Sequence, residues 1–293
     1  VAAGGTATDN CAIDTTSFTM LSETTTPGSC PKIYLRTYQV ADLCGNTATA
    51  SQQITVDDDV PPVMTPANPL TAVCSITEQP AYIYWSEFIA AGGGATDNCG
   101  IDTTSFILIS EVSDGNTCPE VVTRTYQVED LCGNTAVSTQ VIVIDDNIAP
   151  VMTGASSLTA VCSISEQPVY VYWSEFMAAG GTATDNCAID TNTFQLISEV
   201  TDGNTCPEVV TRTYQVADLC GNTATSTQVI TIDDDIAPVM TPPVDLSATC
   251  DIAEQPVYIY WSQFIAAGGT ATDNCAIDTT SFTMLSETTT PGS

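Results

Sequence analysis

Two residue types in this sequence are placed for chemistry. Thirteen cysteines occur among 293 residues, and 35 Asp and Glu stand against only four Lys and Arg. Thiols at regular spacing form disulfides or hold zinc. Clustered carboxylates hold hard cations, or work in pairs on glycosidic bonds. The chain has no His, which excludes Ser-His and Cys-His nucleophile pairs and His-bearing metal sites. A net charge of −31 with four cationic side chains excludes nucleic acid as a partner, because the phosphate backbone would go unneutralised. No apolar run approaches 18 residues, so no helical membrane span is predicted. An apolar content of 43% is too high for a disordered acidic tail.

The cysteines fall into four columns with one spacing, 88 residues. They are Cys11, Cys99, Cys187 and Cys275; Cys30, Cys118 and Cys206; Cys44, Cys132 and Cys220; and Cys74, Cys162 and Cys250. A fixed period of this kind marks a repeat architecture. The expected organisation is a partial repeat over 1–59, full repeats over 60–147 and 148–235, and a partial repeat over 236–293. Residues 2–29 recur unchanged as 266–293. The two ends thus share a phase, and the chain is expected to be a window on a longer array.

Within 60–147, short apolar segments alternate with Gly, Asn, Asp and Pro turns. Strands are predicted at the Pro-rich edge PPVMTP, at 70–76, 81–85, 104–112, 121–128 and 135–144. One or two helical turns are predicted from Ser86 as N-cap to Gly92 as stop. Short strands at this spacing predict an all-β sandwich in each repeat. The competing zinc reading is weak, since no CxxC pair exists and the spacing within a repeat is wrong for a thiolate set. Four cysteines per repeat fit two disulfides in an oxidising compartment, with three connectivities open.

The stretch TYQVEDLCGNTAVSTQVIVIDDNIAPV resembles the hyalin-repeat (HYR) signature: a Tyr, an Asp shortly after it, Gly-Asn, an alternating strand ending in Asp, then Pro. It recurs as TYQVADLCGNTATASQQITVDDDVPPV and TYQVADLCGNTATSTQVITIDDDIAPV. The Cys-rich wording is similar to tandem modules of secreted and gliding-motility-associated surface proteins of Bacteroidota. This resemblance implies a tandem array of immunoglobulin-like β-sandwich repeats in an extracellular adhesion protein. It departs from the pattern at Ala50, Ser138 and Ser226, where such modules often carry a last-strand Cys. The AYIYWSEFIAAGG insert lies outside the signature. Placement in an immunoglobulin-like sandwich implies the pairs Cys99–Cys132 and Cys74–Cys118. By repetition it implies Cys187–Cys220, Cys162–Cys206 and Cys11–Cys44.

Each repeat ends in an acidic triplet followed by a short Pro-containing link: Asp57-Asp58-Asp59, Asp145-Asp146-Asn147 and Asp233-Asp234-Asp235. In a sandwich of this kind a triplet faces the loops of the next repeat. Those loops carry Asp97, Asn98, Asp130 and Asn134; then Asp185, Asn186, Asp218 and Asn222; then Asp273 and Asn274. Carboxylates and amide oxygens converging there would suit Ca²⁺, with the logic of cadherin arrays. The plainer reading is that these Asp and Asn cap their own turns in a solvated linker.

One Arg recurs per repeat, as Arg36, Arg124 and Arg212, and a charge-assisted bond to a carboxylate or carbonyl is expected of it. Trp85, Trp173 and Trp261 are expected in core packing rather than as a sugar platform. The Asp-Thr-Thr segments place Thr15, Thr103 and Thr279 in a context resembling a Bacteroidota O-glycosylation acceptor. The functional expectation is a non-catalytic extracellular stalk or filament segment. Its partners would be neighbouring repeats and other copies of the chain, with Ca²⁺ and no organic cofactor. The alternative is an adhesion module binding glycan or protein through its loops.

Overall fold

The computed structural model describes residues 4–28 and 30–290. The chain divides into two compact units, Val1–Asp146 and Asn147–Ser293.

In the first unit, β1 (Ile13–Thr25), β2 (Lys32–Asp42) and β3 (Thr47–Val56) form an antiparallel three-stranded sheet. A complete repeat follows. It comprises β4 (Val63–Thr65), β5 (Leu70–Ala72), helix α1 (Trp85–Ala90), β6 (Gly94–Thr96), β7 (Ile101–Ser113), β8 (Glu120–Asp130) and β9 (Thr135–Ile144). The main sheet has the order β5-β9-β8-β7, and β4 pairs with β6 as a small second sheet. β5 joins β9 in parallel, Leu70 opposite Ile142, while β8 runs antiparallel to both neighbours.

Alternation builds the core. In β8 the inward residues are Val122, Arg124, Tyr126, Val128 and Asp130, all buried, with less buried residues between them. Period-two exposure is what one face of a sheet against a core requires. Tyr126 and Val128 meet Phe88 of α1, Phe106 of β7 and Ala67. The rings of Phe88 and Phe106 lie 5.1 Å apart, and Phe106 stacks on Tyr126 at 5.3 Å. Trp85 closes the cluster at 5.5 Å from both phenylalanines, the core role expected of it. The α1 insert is therefore the lid of the sandwich. Gly93 follows it because a Cβ there would overlap the Phe88 ring, and Gly181 and Gly269 meet Phe176 and Phe264 in the same way. A second cluster, Ala72, Val122, Ile142 and Ile144, fills the opposite end of the repeat.

The second unit repeats this plan with β10 (Val151–Thr153), β11 (Leu158–Ala160), α2 (Trp173–Ala178), β12 (Thr182–Thr184), β13 (Ile189–Thr201), β14 (Glu208–Asp218) and β15 (Thr223–Ile232). β16 (Val239–Thr241), α3 (Trp261–Ala266) and β17 (Thr270–Thr272) then begin another repeat, and a 3₁₀ turn at Thr279–Ser281 follows. The chain is a tandem array of all-β, immunoglobulin-like sandwich repeats.

One expected strand is cut short and another is not formed. Residues 70–76 give a strand only to Ala72, and 81–85 give none. Carboxylates take the backbone donors instead. Glu78 accepts from the N–H groups of Val73, Cys74 and Ser75 at 2.9, 2.6 and 3.0 Å. Glu87 accepts from Ile83 and Tyr84 at 2.8 and 3.1 Å. The helix accordingly starts at Tyr84 as N-cap rather than at Ser86. Gly92, at φ 87°, stops it as expected.

Candidate functional site: the repeat junction

β2 and β3 end together, Lys32 opposite Val56, so Cys30 and the acidic triplet leave the sheet at the same end. The short link through Pro61 and Pro62 then delivers the chain to the loops at the leading end of the next repeat. Asn134 Nδ2 donates to the Asp58 carbonyl at 2.9 Å, and Asn98 Nδ2 donates to Asp58 Oδ1 at 3.1 Å. Cys30 is bonded there to Cys132, with Cα atoms 4.8 Å apart and 102 residues between them in sequence. In the second unit Cys162 is bonded to Cys275, Cα atoms 5.1 Å apart and 113 residues separated.

Both bonds join one repeat to the next, and this corrects the expected pairing. Cys132 takes Cys30 rather than Cys99, and Cys162 takes Cys275 rather than Cys206. Cys11, Cys44, Cys99, Cys206 and Cys250 are free thiols, so Cys11–Cys44 is not formed. Cys74, Cys118, Cys187 and Cys220 are disulfide-bonded. The reason is polarity. Cys118 and Cys132 do sit at opposite ends of a repeat, as expected of them. The short link sets the trailing end of one repeat against the leading end of the next, so the near thiol belongs to a neighbour.

Beside the Cys30–Cys132 bond, ligand oxygens of Asp58, Asp97 and Asp130 lie within 4.8 Å of one another. Asp58 and Asp130 are 8% and 2% exposed. Asp58 Oδ2 and Asp97 Oδ1 are buried without a hydrogen-bond partner. The Asn98 amide, with the Val60 N–H behind it, holds the Asp58 carboxyl below the usual range. Burial pushes Asp130 up, but Asn134 and the Cys132 and Gly133 N–H groups outweigh it and leave the carboxyl lowered. Asp97 accepts from Cys99 and Gly100 at 2.7 and 3.0 Å. Asn98 and Asn134 present their nitrogens to Asp58, so they brace the carboxylates rather than add oxygens. Asp57 and Asp59 are exposed. The Asp58 carboxylate beside Cys99 pushes that thiol up.

The second unit carries the same parts. Asp234 Oδ1 accepts from Ile236 N–H at 3.1 Å and Asn274 Nδ2 at 3.0 Å. Ligand atoms of Asp234, Asp273 and Cys275 lie within 4.8 Å, with Asp273 Oδ2 buried and unpartnered. Asp218 caps its turn through Cys220 and Asn222 N–H at 2.8 and 2.9 Å. Asp185 accepts from Cys187 N–H at 2.8 Å. Asp233 accepts from the Cys206 thiol at 3.4 Å, and in the first unit Asp146 is buried. Asp235, Asn186 and Asn147 lie in the same loops.

The recurring Arg is structural. Arg124, 3% exposed in its side chain, bonds Glu111 Oε2 at 2.7 Å and the Gln79 carbonyl at 2.6 Å. Arg212 bonds Glu199 at 2.7 Å and the Pro168 carbonyl at 3.2 Å. Thr15, Thr103 and Thr279 are all exposed. Among the described residues no helix is long and apolar enough to cross a membrane.

No family model matches the chain, and no curated protein matches it in sequence. Solved structures similar to it include the human desmocollin-1 ectodomain, at 12% identity over 80% of this chain and 57% of that one, TM-score 0.26. The protocadherin gammaB7 EC3-6 cis-dimer is 12% identical over 77% and 67%, TM-score 0.27. The M60 catalytic domain with two CBM51 domains of Clostridium perfringens ZmpB is 15% identical over 79% and 29%, TM-score 0.21. The chain thus spans little more than half the desmocollin ectodomain, and no site, ligand or partner follows from likeness at this level.

Proposed function

We propose that this chain is a load-bearing segment of an extracellular bacterial stalk or filament, of the hyalin-repeat-like kind its signature resembles. One observation carries the reading: the Cys30–Cys132 and Cys162–Cys275 disulfides each bind one repeat to the next rather than closing it on itself. Disulfides need an oxidising compartment. A bond across the junction gives a pulled array a covalent path that bypasses the sandwich cores. The high negative charge keeps such chains hydrated and apart.

Pulling single molecules tests this. An unfolded residue adds about 3.5 Å of contour. The stretch between Cys30 and Cys132 should stay locked until a reductant is added, then extend by roughly 350 Å. Full extension without reductant would sink the proposal.

The Asp58, Asp97 and Asp130 carboxylates fit a hard divalent cation. They are oxygen donors, two are almost fully buried, and two of their oxygens lack partners. We propose Ca²⁺ there, stiffening the junction beside the disulfide. Calorimetric titration of the full chain with Ca²⁺ should show binding that Asp58→Asn abolishes. No heat above dilution would remove the ion and leave the disulfide argument standing.

A second reading, adhesion along the array, is favoured by one observation. Ile83–Tyr84, Val171–Tyr172 and Ile259–Tyr260 are each at least 62% exposed in every α1-type insert. Exposed Thr15, Thr103 and Thr279 are proposed acceptors for O-glycan, which intact-mass measurement of native protein would reveal.

A further inference from the structure

The main sheet of each complete repeat has an inward face under the lid helix and an outward face that stays open. Side chains on the outward face line up in rows across three strands. Val112, Thr123 and Val141 form one row, and Ser110, Thr125 and Thr139 the next. The second unit repeats them as Val200, Thr211 and Val229, and as Ser198, Thr213 and Thr227. Val112 and Val200 are each 60% exposed, and Val141 and Val229 each 39%. The charge of the chain is kept off these rows. A solvated protein surface carries about 25–35% Lys, Arg, Asp and Glu. Here the rows between Ile107 and Val112, and between Gln195 and Val200, hold only Val, Ile, Thr, Ser and Gln. Acids reach the outward positions only at the leading rim, as Asp102 beside Glu129 and as Asp190. Others cap turns and junctions, and Glu199 points inward to Arg212.

We propose that these open faces are where copies of the chain lie against one another, outward face to outward face. Charge names the occupant as a second copy. A net charge of −31 makes any two copies repel, and the acids crowd the junctions and turns. The outward face is a broad surface on which two copies meet without bringing carboxylates together. Its Thr and Ser hydroxyls, each both donor and acceptor, keep hydrogen bonds across such a contact, while the Val side chains between them leave water. A two-fold axis makes each patch its own complement. A cationic partner is not favoured, because these rows offer it no carboxylate. The inference rests on the stalk reading and names the surface through which stalks bundle.

Size sets the strength of the contact. About nine residues at 3.4 Å by three strands at 4.8 Å give roughly 450 Å² per repeat. A stable pair needs about 800 Å² from each partner. One repeat's face is therefore too small to hold two copies, and the contact gains strength by recurring along the array. Repulsion sets the condition. The Debye length falls from about 30 Å at 0.01 M salt to about 8 Å at 0.15 M. Copies accordingly stay apart in dilute buffer and meet once the acids are screened. An interface made of ion pairs would respond in the opposite sense.

Sedimentation of the full chain tests this, with exposed thiols alkylated and EDTA present so that neither disulfide exchange nor divalent cations join copies. The mass should stay at 30.7 kDa in about 10 mM salt and rise with protein concentration in about 0.5 M NaCl. Thr125→Glu with Thr213→Glu should cut association about tenfold or more and leave the urea midpoint in place. Thr125→Lys with Thr213→Lys should weaken it likewise, yet a mixture of the Glu and Lys proteins should associate even in dilute salt. Ile83→Glu with Val171→Glu, on the lid, should leave association within about twofold. A chain that stays monomeric at about 100 μM in high salt would overturn the proposal. So would association that weakens as salt rises, or loss through the lid pair in place of the sheet pair. None of these results bears on the extension of the Cys30–Cys132 segment under force.

Discussion

Arg124 shows how much one side chain carries in a repeat with a small core. It sits on the inward face of β8 between Val122 and Tyr126, where alternation demands an apolar residue. It is tolerated because Glu111 takes its Nε donor and the Gln79 carbonyl takes a donor of Nη2. Breaking a buried pair costs about 3–5 kcal/mol. Glu111 is 39% exposed, so Arg124→Ala is expected at or just below the lower end of that range, about 2–3 kcal/mol, read from the urea midpoint. Arg124→Lys should recover little, because a single ammonium cannot serve both acceptors in one plane. The acidic residues set the pH response. Backbone N–H groups hold Glu78, Glu166 and Glu254 below the usual carboxylate range, and Asn98 does so for Asp58. Depressed carboxylates stabilise the fold above their unfolded pKa and lose that contribution as pH falls through the folded value. The thermal midpoint should therefore be level above about pH 5 and fall steadily below about pH 4. A midpoint rising through pH 4 would show that relief of charge repulsion wins instead.

At the scale of elements, the lid helix is held by fit rather than by helix propensity. Six residues cannot form a stable helix alone. α1 persists because Phe88 fills the ring cluster and Gly93 lets the chain return directly over that ring. Gly93→Ala should cost about 1–3 kcal/mol by overpacking. Tyr84→Ser, at the exposed cap, should leave stability within about 0.5 kcal/mol. Chemical denaturation of the two variants side by side separates packing from capping; equal losses would refute the account. β7 carries its own device. Its register with β8 shifts between Asp102 and Ile107, and the Ser105 hydroxyl spans the gap by donating to the Asp102 carbonyl and accepting from Glu129 N–H, each at 2.7 Å.

At the scale of the whole molecule, the position of the disulfides decides what the array can withstand. A bond closing about 100 residues is worth about 4.7 kcal/mol in the chain-entropy model. The pairing within one repeat would have closed about a third of that span. Cys30→Ser with Cys132→Ser should accordingly lower stability by about 4–5 kcal/mol. It should also loosen two successive repeats together, since the bond spans their junction. Hydrogen exchange would show protection lost in β2 and β8 alike; loss confined to one sandwich would contradict the cross-repeat bond.

Period, composition and strand alternation were legible in the sequence because they are local. The 88-residue columns announce the array, the inward Val, Tyr and Val of VVTRTYQV mark β8, and the Asp triplets mark the junctions. The extents of the strands at 70–76 and 81–85 were not legible, because Glu78 and Glu87 take backbone donors that a strand would otherwise use, and propensity does not register a side-chain acceptor. Nor could cysteine spacing tell which thiols meet. Identical columns offer each sulfur a mate in its own repeat and another in the next. Only the turn of the chain through the short proline link, which sets one repeat's trailing end on its neighbour's leading loops, brings Cys30 to Cys132 and Asp58 to Asp97 and Asp130.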